Sequence, residues 1–228
     1  MSKFIVIEGL DGAGKSTQIK LLKDFFNEKR LKCKCIHFPR TESPIYGEMI
    51  AKFLRGEFGS VNEVNPYFVA LLYAGDRNDA KEMLAKWLRQ NDFLIADRYY
   101  YSNVAFQGAK ISELQEKISF RKWINELEIK YNKIPMPDLS IYLHLPFEIV
   151  VNRLSTDRQG ASRNYLSGKT DIHESSFELQ KKVEWEYLDL ASNNNDFFII
   201  NCADGDVILN PEQIHLRIIN LLRGKKVI

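Results

Sequence analysis

Short apolar runs and longer amphipathic stretches alternate along the chain. Five runs suit strands: Phe4–Glu8, Cys33–Phe38, Phe93–Asp97, Leu139–Leu145 and Phe197–Asn201. Between them apolar residues recur at helical spacing over Lys15–Glu28, Asn65–Arg89, Glu113–Lys130, Pro146–Leu154, Ser176–Leu190 and Pro211–Leu222. In the first of these Ile19, Leu22 and Phe26 form the stripe, with Leu21 and Phe25 on its flank. Strands alternating with helices imply βαβ units, hence an α/β fold with a five-stranded parallel sheet covered by helices on both faces. Pro135-Met136-Pro137 forces an extended entry into the fourth strand. No internal repeat or long linker interrupts the pattern, so residues 1–228 read as a single domain.

The junction between the first strand and the first helix carries chemistry. Glu8–Thr17 reads EGLDGAGKST, which fits the phosphate-binding P-loop spacing of Gly9, four residues, Gly14, Lys15 and Ser16. A glycine-rich loop can turn successive N–H groups inward as an anion nest, and the following helix N-terminus adds partial positive charge. Residues 9–17, including Asp11, Gly12, Ala13, Gly14 and Thr17, are therefore expected to wrap a nucleotide triphosphate. Lys15 would reach its β and γ phosphates and Ser16 would hold Mg²⁺. A bare chain reversal would not need strand, loop and helix in this order.

Asp97-Arg98-Tyr99 ends the third strand. Ligands of open α/β sheets collect at the carboxyl ends of strands, so Asp97 is expected near Mg²⁺ and Arg98 near phosphate oxygens. Thr156–His173, TDRQGASRNYLSGKTDIH, breaks the helical pattern with two glycines and several basic residues. In a protein that transfers phosphate such a segment reads as a mobile lid, which closes, expels water and brings in arginines. Arg158 and Arg163 are its candidate catalytic cations, and Arg153 stands just outside it.

Composition narrows the partners. The 32 basic residues nearly balance the 30 acidic ones, which gives no electrostatic argument for nucleic acid or an anionic membrane surface. No apolar run approaches the length of a membrane span, and no signal peptide precedes the first strand. Cys33, Cys35 and Cys202 are sparse and odd in number, which suits a reducing cytoplasm. Cys33 and Cys35 read as core residues of a strand, because C-x-C lacks a second ligand pair for zinc.

The motifs FIVIEGLDGAGKSTQ, FPRT, ALLYAGDR, DRYYYSNVAFQGAK and GKTDIHE occur in the order and spacing of the thymidylate kinases, and the chain resembles that family over nearly its whole length. The resemblance implies ATP- and Mg²⁺-dependent phosphorylation of dTMP to dTDP on a P-loop NTPase fold, in a homodimer. It implies roles for individual residues: Arg40 on the dTMP phosphate, Tyr73 stacking on thymine, Arg77 on the base edge, Arg98 near the acceptor phosphate and Asp11 on the sugar 3′-hydroxyl. Asn103 and Gln107 would line the base and sugar pocket, and Cys202-Ala203-Asp204 would hold adenine. Tyr100 and Tyr101 read as packing residues.

Two departures stand out. Gly12 replaces an arginine that some members carry in the P-loop, which shifts the cations to the lid. His173 stands where an aromatic residue commonly screens the sugar's 2′ position. Three other readings compete. A kinase of another nucleoside monophosphate would share the P-loop and lid. A deoxynucleoside kinase would need a carboxylate base, for which Glu8 is the sole candidate. The third is a nucleotide-binding switch or other non-catalytic nucleotide-binding homologue; against it, no guanine-reading Asn-Lys-x-Asp is present and Lys15, Ser16, Asp97 and Arg98 are all intact.

Overall fold

Phe4, Ile5, Val6 and Ile7 are each at most 1% exposed in the computed structural model. Consecutive strand residues point to opposite faces, so four buried in a row mean that both faces of β1 (Lys3–Gly9) are covered. The structure describes residues 2–154, 165–174, 176–205 and 207–228, with 151–154 described by backbone alone. Among these, β1 is followed by α1 (Lys15–Glu28), β2 (Cys33–His37), α2 (Tyr46–Leu54), α3 (Pro66–Gln90), β3 (Phe93–Asp97), α4 (Tyr100–Gly108) and α5 (Leu114–Asn125). Then come β4 (Leu139–His144), α6 (Phe147–Leu154), α7 (Phe177–Asn193), β5 (Phe197–Asn201), the short pair β6 (Ala203–Asp204) and β7 (Val207–Ile208), and α8 (Pro211–Gly224).

The main sheet has five parallel strands in the order β2-β3-β1-β4-β5, as the alternation predicts. Connections leave β1 toward one edge and later return to the other, which opens a crevice at the carboxyl ends. Ile7 lies opposite Asp97 in the β1–β3 register. That register brings the loop after β1 against Asp97-Arg98.

Two helices have no counterpart in the periodicity. All nine residues of α4 are buried, packed among α3, α5 and α7, so the helix has no polar face to reveal its period. Helix α2 is preceded at its N-cap by Ile45, whose φ of 63° comes with no side-chain cap, so the usual start signal is missing. Its Ile50, Phe53 and Leu54 form a second small core with Val69 of α3. Gly75 makes that packing possible, since a Cβ there would stand 2.1 Å from the Tyr46 ring.

The helix expected over Glu113–Lys130 is α-helical to Asn125 and then π-helical over Glu126–Tyr131, a widened turn that carries buried Glu128. Cys33 and Cys35 are half-buried rather than core, because β2 is an edge strand and they only flank the main cluster. Tyr100 and Tyr101 are buried packing residues, Tyr101 stacking on Phe197 with centroids 4.4 Å apart.

Candidate active site

The loop after β1 enters α1 at Gly14, whose φ of 90° is a left-handed conformation that a side chain resists. Lys15 is 8% exposed and folds back over the loop, its Nζ donating to the Gly9 carbonyl at 3.2 Å and the Leu10 carbonyl at 3.0 Å. Neutral carbonyls are weaker partners for an ammonium than an anion would be. Burial, and then the neighbouring Arg98 charge, lower the pKa of Lys15.

Arg98 sits at φ 65°, an unfavourable backbone conformation held by its N–H on the Ile7 carbonyl at 2.9 Å. Its Nη2 donates to Asp11 Oδ1 at 2.7 Å, and its guanidinium carbon lies 4.9 Å from the Phe106 ring centroid. Burial alone would raise the pKa of Asp11; Arg98 and Lys15 outweigh it and hold the carboxyl well below its ordinary range. Asp11 Oδ2 also accepts from Gln180 Nε2 at 3.2 Å.

Glu8 is fully buried beneath this pair. It accepts from the Tyr99 N–H at 2.9 Å, the Ser102 N–H at 3.2 Å, the Ser102 hydroxyl at 2.5 Å and the Tyr187 hydroxyl at 2.9 Å. Burial raises its pKa while Ser102, Arg98 and Tyr187 pull it back. With both oxygens engaged, Glu8 is the anchor that ties β1 to the start of α4.

Asp97 pairs through Oδ2 with His37 Nδ1 at 3.1 Å. Its Oδ1 is buried with no partner among the described residues. Burial would raise its pKa, yet the His37 hydrogen bond and the Lys15 and Arg98 charges bring it below the ordinary value. An ionised carboxylate with one orphaned oxygen, lining the same cavity as exposed Ser16, fits a divalent cation. Among the described residues no group of three or more His, Cys, Asp or Glu could hold an ion. A cation here would thus depend on substrate oxygens to complete its shell.

A cavity of about 890 Å³ opens beside these groups. Asp11, Gly12, Gly14, Lys15, Ser16, Thr17, Asp97 and Arg98 line it, together with Tyr73, Arg77, Asn103, Phe106 and Gln107. Gly9 and Ala13 are off its wall, Gly9 contributing the carbonyl that holds Lys15. Arg40 is not on the wall either. Its Nε donates to Asp76 Oδ1 at 2.8 Å, and its Nη2 to the Asp76 carbonyl at 2.9 Å and Asp79 Oδ2 at 2.6 Å. Arg158 and Arg163, and most of the expected lid, lie outside the described residues. Cys202–Asp204 runs into the β6–β7 pair, where Asp204 is held by Arg217 at 2.9 Å, and is not on this wall.

Arg77 is 1% exposed, and Glu128 is fully buried. Arg77 donates through Nε at 2.5 Å and Nη2 at 2.7 Å to the two oxygens of Glu128, leaving Nη1 outside that pair. Glu128 Oε1 also accepts from Asn103 Nδ2 at 2.9 Å. Nothing in the periodicity marks Glu128, because the turn that buries it departs from the α-helical spacing.

Asp171 and Tyr165 are legible in the sequence only as part of the expected lid, whereas His173 stands out there as a departure from the family pattern; all three line the cavity. Asp171 accepts the Tyr165 hydroxyl at 2.9 Å and the His173 N–H at 2.8 Å. Burial, then repulsion from Asp11 and Glu174, pushes its pKa up to about 6. An acid raised in the fold is penalised once it ionises. The penalty is absent below the unfolded value near 4, grows as pH rises and is complete above about 6. Asp171→Asn is therefore expected to stabilise the protein at pH 8 by about 1–3 kcal/mol, with the gain vanishing toward pH 4. Urea unfolding of both proteins across that range checks the sign; a loss at pH 8 would show that the hydrogen bonds outweigh the ionisation penalty.

The family profile described as Thymidylate kinase matches residues 7–209. The chain belongs to the thymidylate kinase family. Phosphorylation of dTMP is the activity that membership carries, with ATP as phosphoryl donor. A probable thymidylate kinase of Thermococcus kodakarensis is 34% identical over 224 residues, 96% of each chain. The thymidylate kinase of Mycobacterium tuberculosis is 29% identical over 188 residues, 82% of this chain and 85% of that one. The solved structure of the Candida albicans thymidylate kinase covers 99% of this chain and 93% of its own at 25% identity, with a TM-score of 0.71. That likeness extends to the P-loop NTPase fold, a parallel sheet flanked by helices. Among the described residues no helix is long and apolar enough to cross a membrane.

Proposed function

We propose that this chain, read as one thymidylate-kinase-like unit over residues 1–228, moves the γ-phosphoryl of ATP to dTMP with Mg²⁺ held by Ser16 and Asp97. One observation carries the assignment of roles: Lys15, Arg98, Tyr73 and Arg77 face a single cavity. Gly9–Thr17 cradles the triphosphate and Lys15 turns from the loop carbonyls to its phosphates. Arg98 meets the phosphoryl group in flight, Asp11 accepts a hydroxyl of the sugar, Tyr73 stacks on thymine and Arg77 donates to the base edge. Asn103 and Gln107 line the base and sugar. Arg40 completes the acceptor phosphate site by exchanging its Asp79 contact for the phosphate. Arg158 and Arg163 bring lid cations, which Gly12 cannot supply. Mg²⁺, when bound, neutralises charge on the phosphates.

The acceptor needs no general base. A phosphate monoester with a second pKa of about 6 is mostly dianionic at neutral pH. The barrier is the approach of two anions through a loose transition state, which fixed cations stabilise. The engaged oxygens of Glu8 argue against a deoxynucleoside kinase, whose neutral hydroxyl acceptor requires a free carboxylate. A homodimer and a cytoplasmic location belong to the same reading. Exposed Phe68 and Leu71, spaced i, i+3 on α3, support the first, and three free cysteines the second. The test is ADP release against a panel of nucleoside monophosphates with and without Mg²⁺. dTMP should give the highest kcat/KM and chelation should abolish turnover; a faster non-thymine acceptor would overturn the assignment.

A further inference from the structure

His37 lies directly opposite Asp97 in the parallel register of β2 and β3. Neighbours across a ladder point to the same face of a sheet. The Phe38 N–H donates to the Asp97 carbonyl at 3.0 Å, which ties the two backbones together one residue beyond His37. The side chains meet through His37 Nδ1 and Asp97 Oδ2 at 3.1 Å. An ionised carboxylate only accepts, so Nδ1 is the donor whether the imidazole is neutral or charged. Among the described residues no other side chain hydrogen-bonds this carboxylate. The His37 side chain is 55% exposed on an edge strand, so packing gives the ring little to do there.

One hydrogen bond matters here because of how an aspartate turns. The torsion that rotates its carboxylate is broad, so the backbone does not fix the plane of the two oxygens. Lys15 and Arg98 line the same cavity, and both attract Asp97 through their charge. A carboxylate free to rotate would be drawn to one of them. That pairing would harm the site in two ways. It would withdraw Asp97 from a divalent cation, and it would withdraw Lys15 or Arg98 from phosphate oxygens.

We propose that His37 is a positioning residue for the metal site: its Nδ1–H holds Asp97 Oδ2, which leaves the other oxygen for the divalent cation that accompanies ATP and leaves Lys15 and Arg98 for the phosphates. The inference rests on the assignment of Ser16 and Asp97 to Mg²⁺ in the proposed function. It carries a geometric rule for replacements. Asparagine bears its amide nitrogen on Cγ, the atom that bears Nδ1 in histidine, so it can supply the same donor. Glutamine bears its amide one bond farther out, in the place of Nε2, and leucine has no donor.

The test is the affinity for a β,γ-imido analogue of ATP, measured by calorimetry with Mg²⁺ and again with a chelator. The ratio of the two affinities isolates what the metal adds through the protein and the nucleotide together. Mg²⁺ should strengthen binding to the wild type, and Asp97→Asn should remove most of that gain. His37→Leu and His37→Gln should each shrink the gain about tenfold, whereas His37→Asn should keep it within about threefold of the wild type. Free Mn²⁺, counted by its EPR signal in the presence of protein and analogue, should rank the variants in the same order. A gain unmoved within about twofold in both His37→Leu and His37→Gln, while Asp97→Asn loses it, overturns this inference and leaves the metal assignment standing. An equal loss in His37→Asn and His37→Leu also overturns it, since the donor at the Nδ1 position would then be irrelevant. If Asp97→Asn keeps the full gain, or the wild type shows none, the metal assignment itself fails and the role of His37 with it.

Discussion

Lys15→Ala should lower kcat for dTMP about a thousandfold or more while leaving the protein folded. The two halves of this expectation have separate causes. In transfer, the ammonium meets charge that develops on the phosphates inside a cavity shared with Arg98 and Asp97. Nothing else on the P-loop can replace it, since Gly12 has no side chain. In stability, Lys15 donates to the Gly9 and Leu10 carbonyls and lies 3.9 Å from Asp11 Oδ1, and burial and Arg98 lower its folded-state pKa. A lysine lowered in the fold costs stability while charged, so removing it at neutral pH should leave the melting temperature unchanged or raised. Asp11 does not become an isolated charge, because Arg98 remains at 2.7 Å. Steady-state ADP release and a thermal melt check both halves. Wild-type turnover with normal ATP affinity would remove the phosphate-site assignment. A large drop in melting temperature would mean that the loop depends on Lys15 for its shape.

What the sequence made legible follows from where the information lies. Lys15 and Asp97-Arg98 sit at strand ends, and strands announce themselves as apolar runs; once β1 and β3 pair, their ends must meet. Tyr73 and Arg77 could be placed on one face of a helix because α3 keeps a regular period over 25 residues. Helix α4 could not be read as a helix, since uniform burial erases amphipathic spacing. The partners that set the state of each site residue were hidden for a different reason. Glu8, Glu128 and Gln180 look like ordinary strand or helix residues until the chain closes on itself. Glu128 is 51 positions from Arg77, and Gln180 is 169 from Asp11. Cys33 and Cys35 looked like core because they alternate along a strand with no zinc-ligand partners, whereas exposure is set by strand order: β2 is at the edge. Arg40 shows the same limit, since its motif gives no hint of Asp76 and Asp79 competing for the guanidinium.

Arg77→Ala should destabilise the protein by about 3–5 kcal/mol, because it strips a fully buried carboxylate of its bidentate partner. The single variant therefore cannot by itself separate reading of the base from folding. Arg77→Met with Glu128→Gln can. The pair carries no buried charge, the methionine fills apolar space, and the glutamine amide keeps an oxygen for Asn103 Nδ2. Its stability in urea should return to within about 2 kcal/mol of the wild type. Selectivity is then the informative quantity. In the wild type, Nη1 is free of the Glu128 pair and can donate to thymine O4. Cytosine presents an amino donor at that position, so two donors face each other. A buried donor left unpaired costs about 1–3 kcal/mol, so the wild type should prefer dTMP to dCMP by about one to two decades in kcat/KM. The double variant should lose dTMP turnover and most of that preference. dUMP, which keeps O4, should fall in parallel with dTMP. An unchanged dTMP-to-dCMP ratio in a stable double variant would mean that Arg77 is held by Glu128 for packing alone, and that Asn103 or Gln107 distinguishes the bases. If instead the single variant unfolds in urea within about 1 kcal/mol of the wild type, the buried pair is not the strut that its geometry implies.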